Sequence, residues 1–151
     1  MKIILDSNLL LLLIVGSADL KYIRMHKRLG AYDKNSFVLL IDILSKSDKI
    51  ILTPNTLTET SNLAAHISEP ARSHIFLMFK DILADPRLTE IFVESHLAMA
   101  RPEFTRLGLT DSVLLHIGSE PTMLLTADLH LYLAAAKCGR NACNFNHLRD
   151  L

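Results

Sequence analysis

Four of the sixteen acidic residues stand where side chains could do chemistry together. Asp6 closes an apolar run in IILDSN, Glu59 lies in TPNTLTE, Asp111 in LGLTDS and Asp128 in LLTAD. Two carboxylates about 4 Å apart repel by roughly 4 kcal/mol at an effective dielectric near 20. Acids that converge therefore raise one another's pKa values, and no Lys, Arg or His is adjacent in sequence to any of the four. A divalent cation relieves that repulsion. Mg²⁺ and Mn²⁺ favour oxygen ligands, and Mg²⁺ keeps several waters, so some acids could bind through water. A cation so held lowers the pKa of its water and steadies charge on a phosphate. Ser7, Asn8, Thr110 and Thr126 adjoin the acids and would orient them.

Each acid alone has a structural reading. Thr56-Leu57-Thr58-Glu59 matches a capping box, Asp111 could answer a helix dipole beside a Thr110 cap, and Asp6 and Asp128 could be N-caps. Capping predicts acids scattered over separate helix ends, whereas chemistry predicts that they meet.

Whether they can meet depends on the elements that carry them. Short apolar runs predict strands at Lys2–Leu5, Lys49–Thr53, Glu90–Val93, Thr122–Thr126 and Ala142–Phe145. Helical spacing marks Asn35–Ser45, Thr56–Ile67, Pro70–Leu83, Thr110–Ile117 and Asp128–Cys138, the last before Gly139. This alternation predicts an α/β fold with a parallel sheet. In such a sheet the ligand crevice lies beyond the carboxyl ends of the strands. Chain order puts Asp6, Glu59 and Asp128 near that edge, and Asp111 joins them only if its helix begins there.

Composition sets the bounds. The 151 residues suit one domain, spanning 1–151, with no linker, repeat or low-complexity tract. Half are hydrophobic and 21% charged, which excludes disorder. Sixteen basic residues balance sixteen acids, which excludes a basic coat and leaves only local patches for nucleic acid. Trp is absent and aromatics are 6%, which argues against a base-stacking sheet. Cys138 and Cys143 are too few for a disulfide scaffold and read as free thiols in a reducing, cytoplasmic compartment. The start, MKIILDSNLLLLLIVGSA, imitates a signal peptide, but Asp6 and Asn8 interrupt it. Its unbroken run is too short for a bilayer, which takes about 20 apolar residues, so it reads as a buried strand and helix with no membrane role.

The ordered pieces IILDSN, TPNTLTE, LGLTDS and LLTADLHL resemble the successive acidic motifs of the PIN-domain family, from Lys2 to about Phe145. The resemblance implies a three-layer α/β/α sandwich with a central parallel sheet. It implies a metal-dependent endoribonuclease acting on RNA, with Asp6, Glu59, Asp111 and Asp128 as the Mg²⁺ or Mn²⁺ site. Many relatives are VapC-type toxins restrained by a small antitoxin, so a toxin–antitoxin role is implied as well. Relatives often carry a further acid two residues after the last aspartate. Here that residue is His130, which leaves a second metal open: it could replace a ligand, contact phosphate or face solvent, the last two being favoured. The alternative is a non-catalytic RNA- or protein-binding module on the same fold.

In LKYIRMHKRLG, a helix would put Lys21, Arg24 and Arg28 on one face, able to grip an RNA backbone or simply to face solvent. Arg101 and Arg106 flank Asp111 as further candidates for phosphate contact. The histidines show no HxxxH or HExxH spacing, and no GxxxxGK[ST], GxGxxG or GxSxG occurs. A zinc hydrolase, a nucleotide phosphate loop and a serine elbow are therefore disfavoured. The apolar pair of middle helices reads as core. Any surplus exposed face there would dock a second copy, as in a homodimer, or an inhibitor protein.

Overall fold

The computed structural model describes residues 1–118 and 121–150. In chain order the elements are β1 (Lys2–Leu5), α1 (Ser7–Ala18), α2 (Lys21–Met25), α3 (Lys34–Ser45), β2 (Lys49–Leu52), α4 (Pro54–Ala64) and α5 (Ala71–Leu83). They continue with β3 (Leu88–Glu90), α6 (Ser95–Met99), α7 (Phe104–Leu107), α8 (Leu109–Ile117), β4 (Thr122–Thr126), α9 (Leu129–Lys137), β5 (Ala142–Asn144) and α10 (Phe145–Arg149). All five strands pair in parallel in the order β3-β2-β1-β4-β5.

Successive residues of a strand point to opposite faces, and β1 obeys this. Ile3 and Leu5 enter one core with α1, α3, α4 and α5, while Ile4 enters another with Leu114 and Leu115 of α8 and Leu131, Ala134 and Ala135 of α9. Helices thus cover both faces, giving a three-layer α/β/α sandwich. The run that imitates a signal peptide becomes α1, in which every residue from Leu9 to Gly16 is buried, as expected of a helix apolar all round. Gly16 permits the closest approach: a Cβ there would lie 2.2 Å from the Phe37 ring of α3. Among the described residues, no helix is long and apolar enough to cross a membrane.

Strands β1 and β4 have the bounds expected from their apolar runs. Three other boundaries move. The third strand is Leu88–Glu90 rather than Glu90–Val93, and the last bond of its ladder runs from Ile91 N to Leu52 O. Thr53 leaves β2 and caps α4, accepting from Thr56 N at 3.1 Å, with Pro54 in the first turn. Phe145 leaves β5 to open α10.

Candidate functional site

The chain runs outward from β1 through β2 to β3, then crosses to the other side of β1 for β4 and β5. The β1/β4 boundary is the point where the winding reverses, the usual ligand crevice of an open α/β sheet. Leu5 pairs with Leu125 across it, and Asp6 N donates to Leu125 O. Asp6 therefore emerges at the carboxyl end of the central strand, beside Thr126. The Thr126 hydroxyl donates to Asp6 Oδ2 at 2.6 Å and accepts from Asp128 N at 3.0 Å. Ser7 N donates to Asp6 Oδ1 at 2.7 Å. Two loops are thereby tied around one buried carboxylate.

Asp128 caps α9, its Oδ1 accepting from His130 N at 2.8 Å and Leu131 N at 3.2 Å. Asp111 lies in the first turn of α8. Gly108, with φ 86°, precedes that helix instead of a Thr110 cap, since only glycine enters this backbone region without strain. Helix α4 packs against α8, and Glu59 and Thr110 line one open cavity of about 440 Å³ with Asn55 and Asn62. Glu59 is exposed in the second turn of α4. The capping box expected with Thr56 is absent, because Thr53 and Pro54 start the helix earlier.

The four acids share one electrostatic field. Burial pushes the Asp111 carboxyl up to about 7, and the charges of Asp6, Asp128 and Glu59 push it the same way. Burial raises Asp6 to about 6 against the hydrogen bonds from Thr126 and Ser7, with Asp128 and Glu59 adding to the rise. Among the described residues none of the four forms an ion pair.

The donor set suits a hard divalent cation: carboxylate oxygens, no compensating positive charge, and the buried Ser7 Oγ, which has no hydrogen-bond partner among the described residues. The carboxylates share a field without forming a closed shell. Among the described residues no three His, Cys, Asp or Glu side chains are gathered as a ligand set. Asp128 spends Oδ1 on its cap, and Glu59 stands out in the cavity mouth. Only a cation that retains waters could bridge such spacing.

The remaining candidates scatter. Asn8 and His130 are exposed, and Thr110 is half-buried. The basic strip is not one helical face: α2 ends at Met25, so Lys21 and Arg24 lie on it and Arg28 does not. The cause is His26, which is buried and takes extended backbone, its Nδ1 accepting from Arg28 N at 3.2 Å. Lys21 pairs with Asp19 at 3.7 Å. Lys21 and Arg24 instead share a cavity of about 540 Å³ with Tyr32, Asp33 and Lys34. Arg106 lines a separate cavity with Glu103, Lys137 and Cys138, where Arg101 pairs with Glu103 at 3.0 Å.

Sequence reasoning passed over Tyr32 and Arg149. Burial raises the Tyr32 phenol, Arg149 opposes that rise and Asp6 adds to it, so the Tyr32 phenol stands within the field of Asp6. The Arg149 guanidinium lies 4.8 Å from the Tyr32 ring centroid. These residues are far apart in sequence, and no local pattern joins them.

Fold and site together define an α/β sandwich protein with loosely spaced carboxylates near its topological switch point that form no ion pair among the described residues. Comparison with known proteins finds no matching family model, no matching curated protein and no matching solved structure.

Proposed function

We propose that the chain is a Mg²⁺- or Mn²⁺-dependent endoribonuclease of the PIN type, working in the cytoplasm. The observation that carries the reading is that the charges of Asp6, Asp128 and Glu59 all act on half-buried Asp111, which forms no ion pair among the described residues. Helix capping accounts for Asp6 and Asp128 one at a time, whereas a bound divalent cation gives four acids a reason to share one field. When bound, the cation would supply an activated water and charge neutralisation at the scissile phosphate.

The chain's own residues divide the remaining work. Asp6 and Asp111, the two acids raised by burial and repulsion, hold the cation. Asp128 contributes the oxygen its cap leaves free, directly or through water. Glu59, exposed at the cavity mouth, orients the attacking water and takes its proton. Thr126 and Ser7 N fix the Asp6 carboxylate. Lys21, Arg24 and Lys34 offer positive charge around one cavity for the RNA backbone, and exposed His130 offers a phosphate contact beside Asp128. RNA rather than DNA follows from the motif resemblance.

Leu129 and Leu133 stand about half exposed one turn apart on α9, directly after Asp128. They give a small antitoxin-like inhibitor or a second copy an apolar surface to cover. A toxin role in a toxin–antitoxin pair fits that surface, and co-purification of a short second chain tests it.

The test of the reading is cleavage of RNA, with matched DNA alongside, in Mg²⁺ or Mn²⁺ with and without chelator. Cleavage that needs metal and is lost in Asp6→Asn and Asp111→Asn supports it. Metal-independent cutting, or full activity in both variants, refutes it. A second reading, a non-catalytic RNA- or protein-binding module, draws on the open spacing of the carboxylates and the exposed Glu59. Calorimetric titration separates the two, because a module would bind RNA with no Mn²⁺ uptake at millimolar metal.

A further inference from the structure

The peptide unit joining Ala127 to Asp128 is pinned on both sides. Its N–H donates to Thr126 Oγ1 at 3.0 Å, and the same hydroxyl donates to Asp6 Oδ2. Its carbonyl, Ala127 O, accepts from Asn146 Nδ2 at 3.2 Å. A peptide unit is planar and turns as one body. Holding its two ends from opposite sides therefore fixes the plane of the peptide that delivers Asp128 to the start of α9.

Asn146 is itself held. Its Oδ1 accepts from Arg149 Nη1 at 3.0 Å, and its backbone N–H donates to Asn144 Oδ1 at 2.9 Å. With a donor facing its oxygen and a carbonyl facing its nitrogen, the amide has one satisfied orientation. Arg149 in turn donates through Nη2 to Ala31 O and lies over the Tyr32 ring. A guanidinium presents several donors in a rigid fork and stacks on aromatic faces, so one side chain can make all these contacts at once. Phe145, fully buried, meets the other part of this corner, 6.3 Å from the Tyr32 centroid.

We propose that Asn146 and Arg149 are positioning residues of the carboxylate site. Arg149 clamps the Ala31–Tyr32 loop to α10 and orients Asn146, and Asn146 locks the Ala127–Asp128 peptide so that Asp128 N stays on the Thr126 hydroxyl that holds Asp6. One consequence is that Tyr32, in the wall of the Lys21, Arg24 and Lys34 cavity, and the Asp128 peptide are held by a single brace. The assignment deepens the metal-site reading and rests on it for its function, while the brace can be measured without metal.

The test compares Asn146→Asp, Asn146→Ala and Arg149→Lys with the unaltered chain. Asn146→Asp keeps an acceptor for Arg149 but loses the donor to Ala127 O, so it releases the peptide while leaving the clamp. Hydrogen exchange of the metal-free protein is followed at Asp128, His130 and Leu131, with Leu40 and Ile75 as distant references. We expect Asn146→Asp and Asn146→Ala to exchange about tenfold faster at the three site amides with the references unchanged, and Arg149→Lys to fall between. Mn²⁺ affinity by calorimetry should drop about tenfold in the same order, the usual scale for groups that orient metal ligands. Unchanged exchange at 128–131 in both Asn146 variants overturns the proposal. So does acceleration spread equally over Leu40 and Ile75, or local loosening with Mn²⁺ affinity intact. If the unaltered chain takes up no Mn²⁺, local acceleration still supports the brace and the metal reading alone falls.

Discussion

The Thr126 hydroxyl donates to Asp6 Oδ2 across 2.6 Å and 120 residues of chain, joining the carboxyl ends of β1 and β4. The same oxygen accepts from Asp128 N, so one buried hydroxyl serves two of the four acids. Neither residue is exposed enough for water to replace the partner.

Thr126→Val keeps the shape and deletes the hydroxyl. It leaves Asp6 Oδ2 and Asp128 N without their partner, at a cost of roughly 1–3 kcal/mol for unsatisfied buried groups. It also removes an interaction that lowers the Asp6 pKa, so the Asp6 carboxyl should titrate above about 6. Urea unfolding and carbon-detected NMR titration measure the two effects. A Thr126→Val protein as stable as its parent, with Asp6 unmoved, contradicts the assignment, and Thr126→Ser should restore both.

Asp111→Asn should make the metal-free protein more stable at pH 7.5 while abolishing metal-dependent cleavage. The carboxylate is held in a field of three other acids, and an amide of nearly equal shape carries no charge. The gain should be about 1–2 kcal/mol, less than the pKa displacement alone would give, because Asp111 is only partly shielded from water. For a chain of this length that is a rise of roughly 2–8 °C in Tm. A fall in Tm would mean that the charge is compensated in a way the ion pairs do not reveal.

The elements that hold these acids were legible where local chemistry decides structure. The runs at Lys2–Leu5 and Thr122–Thr126 are central, apolar and sharply bounded, and both fold as read. The third strand slipped because it is short and at the sheet edge, where Leu88 and Thr89 are only half-buried and the more apolar Ile91 and Val93 lie beyond it. Glu59 was placed too early in its helix because Thr56 and Thr53 are both good caps, and Pro54 in the first turn selects Thr53. The basic helical face failed at His26, whose burial against Ala64 is a tertiary contact with no local sign. Arg149 was invisible for the same reason, since its partner Ala31 is 118 residues away.

Gly16→Ala tests the core rather than the site. Adding a methyl to a helix usually helps by up to about 1 kcal/mol. Here the new carbon would meet the Phe37 ring at 2.2 Å, and α3 would have to move. Overpacking of this kind costs roughly 1–3 kcal/mol, so the net effect should be destabilising. Thermal unfolding decides it. A Phe37→Leu background should recover much of the loss, and a stabilised Gly16→Ala single variant would show that the α1–α3 contact is looser than the structure has it.

Metal and protons should compete for the same carboxylates, which gives the site a signature in stability. Asp6 and Asp111 have folded pKa values of about 6 and about 7 against an ordinary 3.8. The folded state therefore binds more protons than the unfolded state between about pH 4 and 7. Stability from these two groups is fully present below pH 4 and is lost as pH rises through their folded values. His26 runs the other way: burial lowers its pKa, so its contribution is present above pH 6.5 and lost as pH falls through its folded value. Differences against Asp111→Asn cancel the histidine. In that difference, millimolar Mn²⁺ should raise Tm clearly at pH 7.5, where both carboxylates are ionised, and far less at pH 5, where protons already occupy them. Calorimetric scans at the two pH values decide the matter. An equal Mn²⁺ effect at both, or one that persists undiminished in Asp111→Asn, would place the cation elsewhere on the protein.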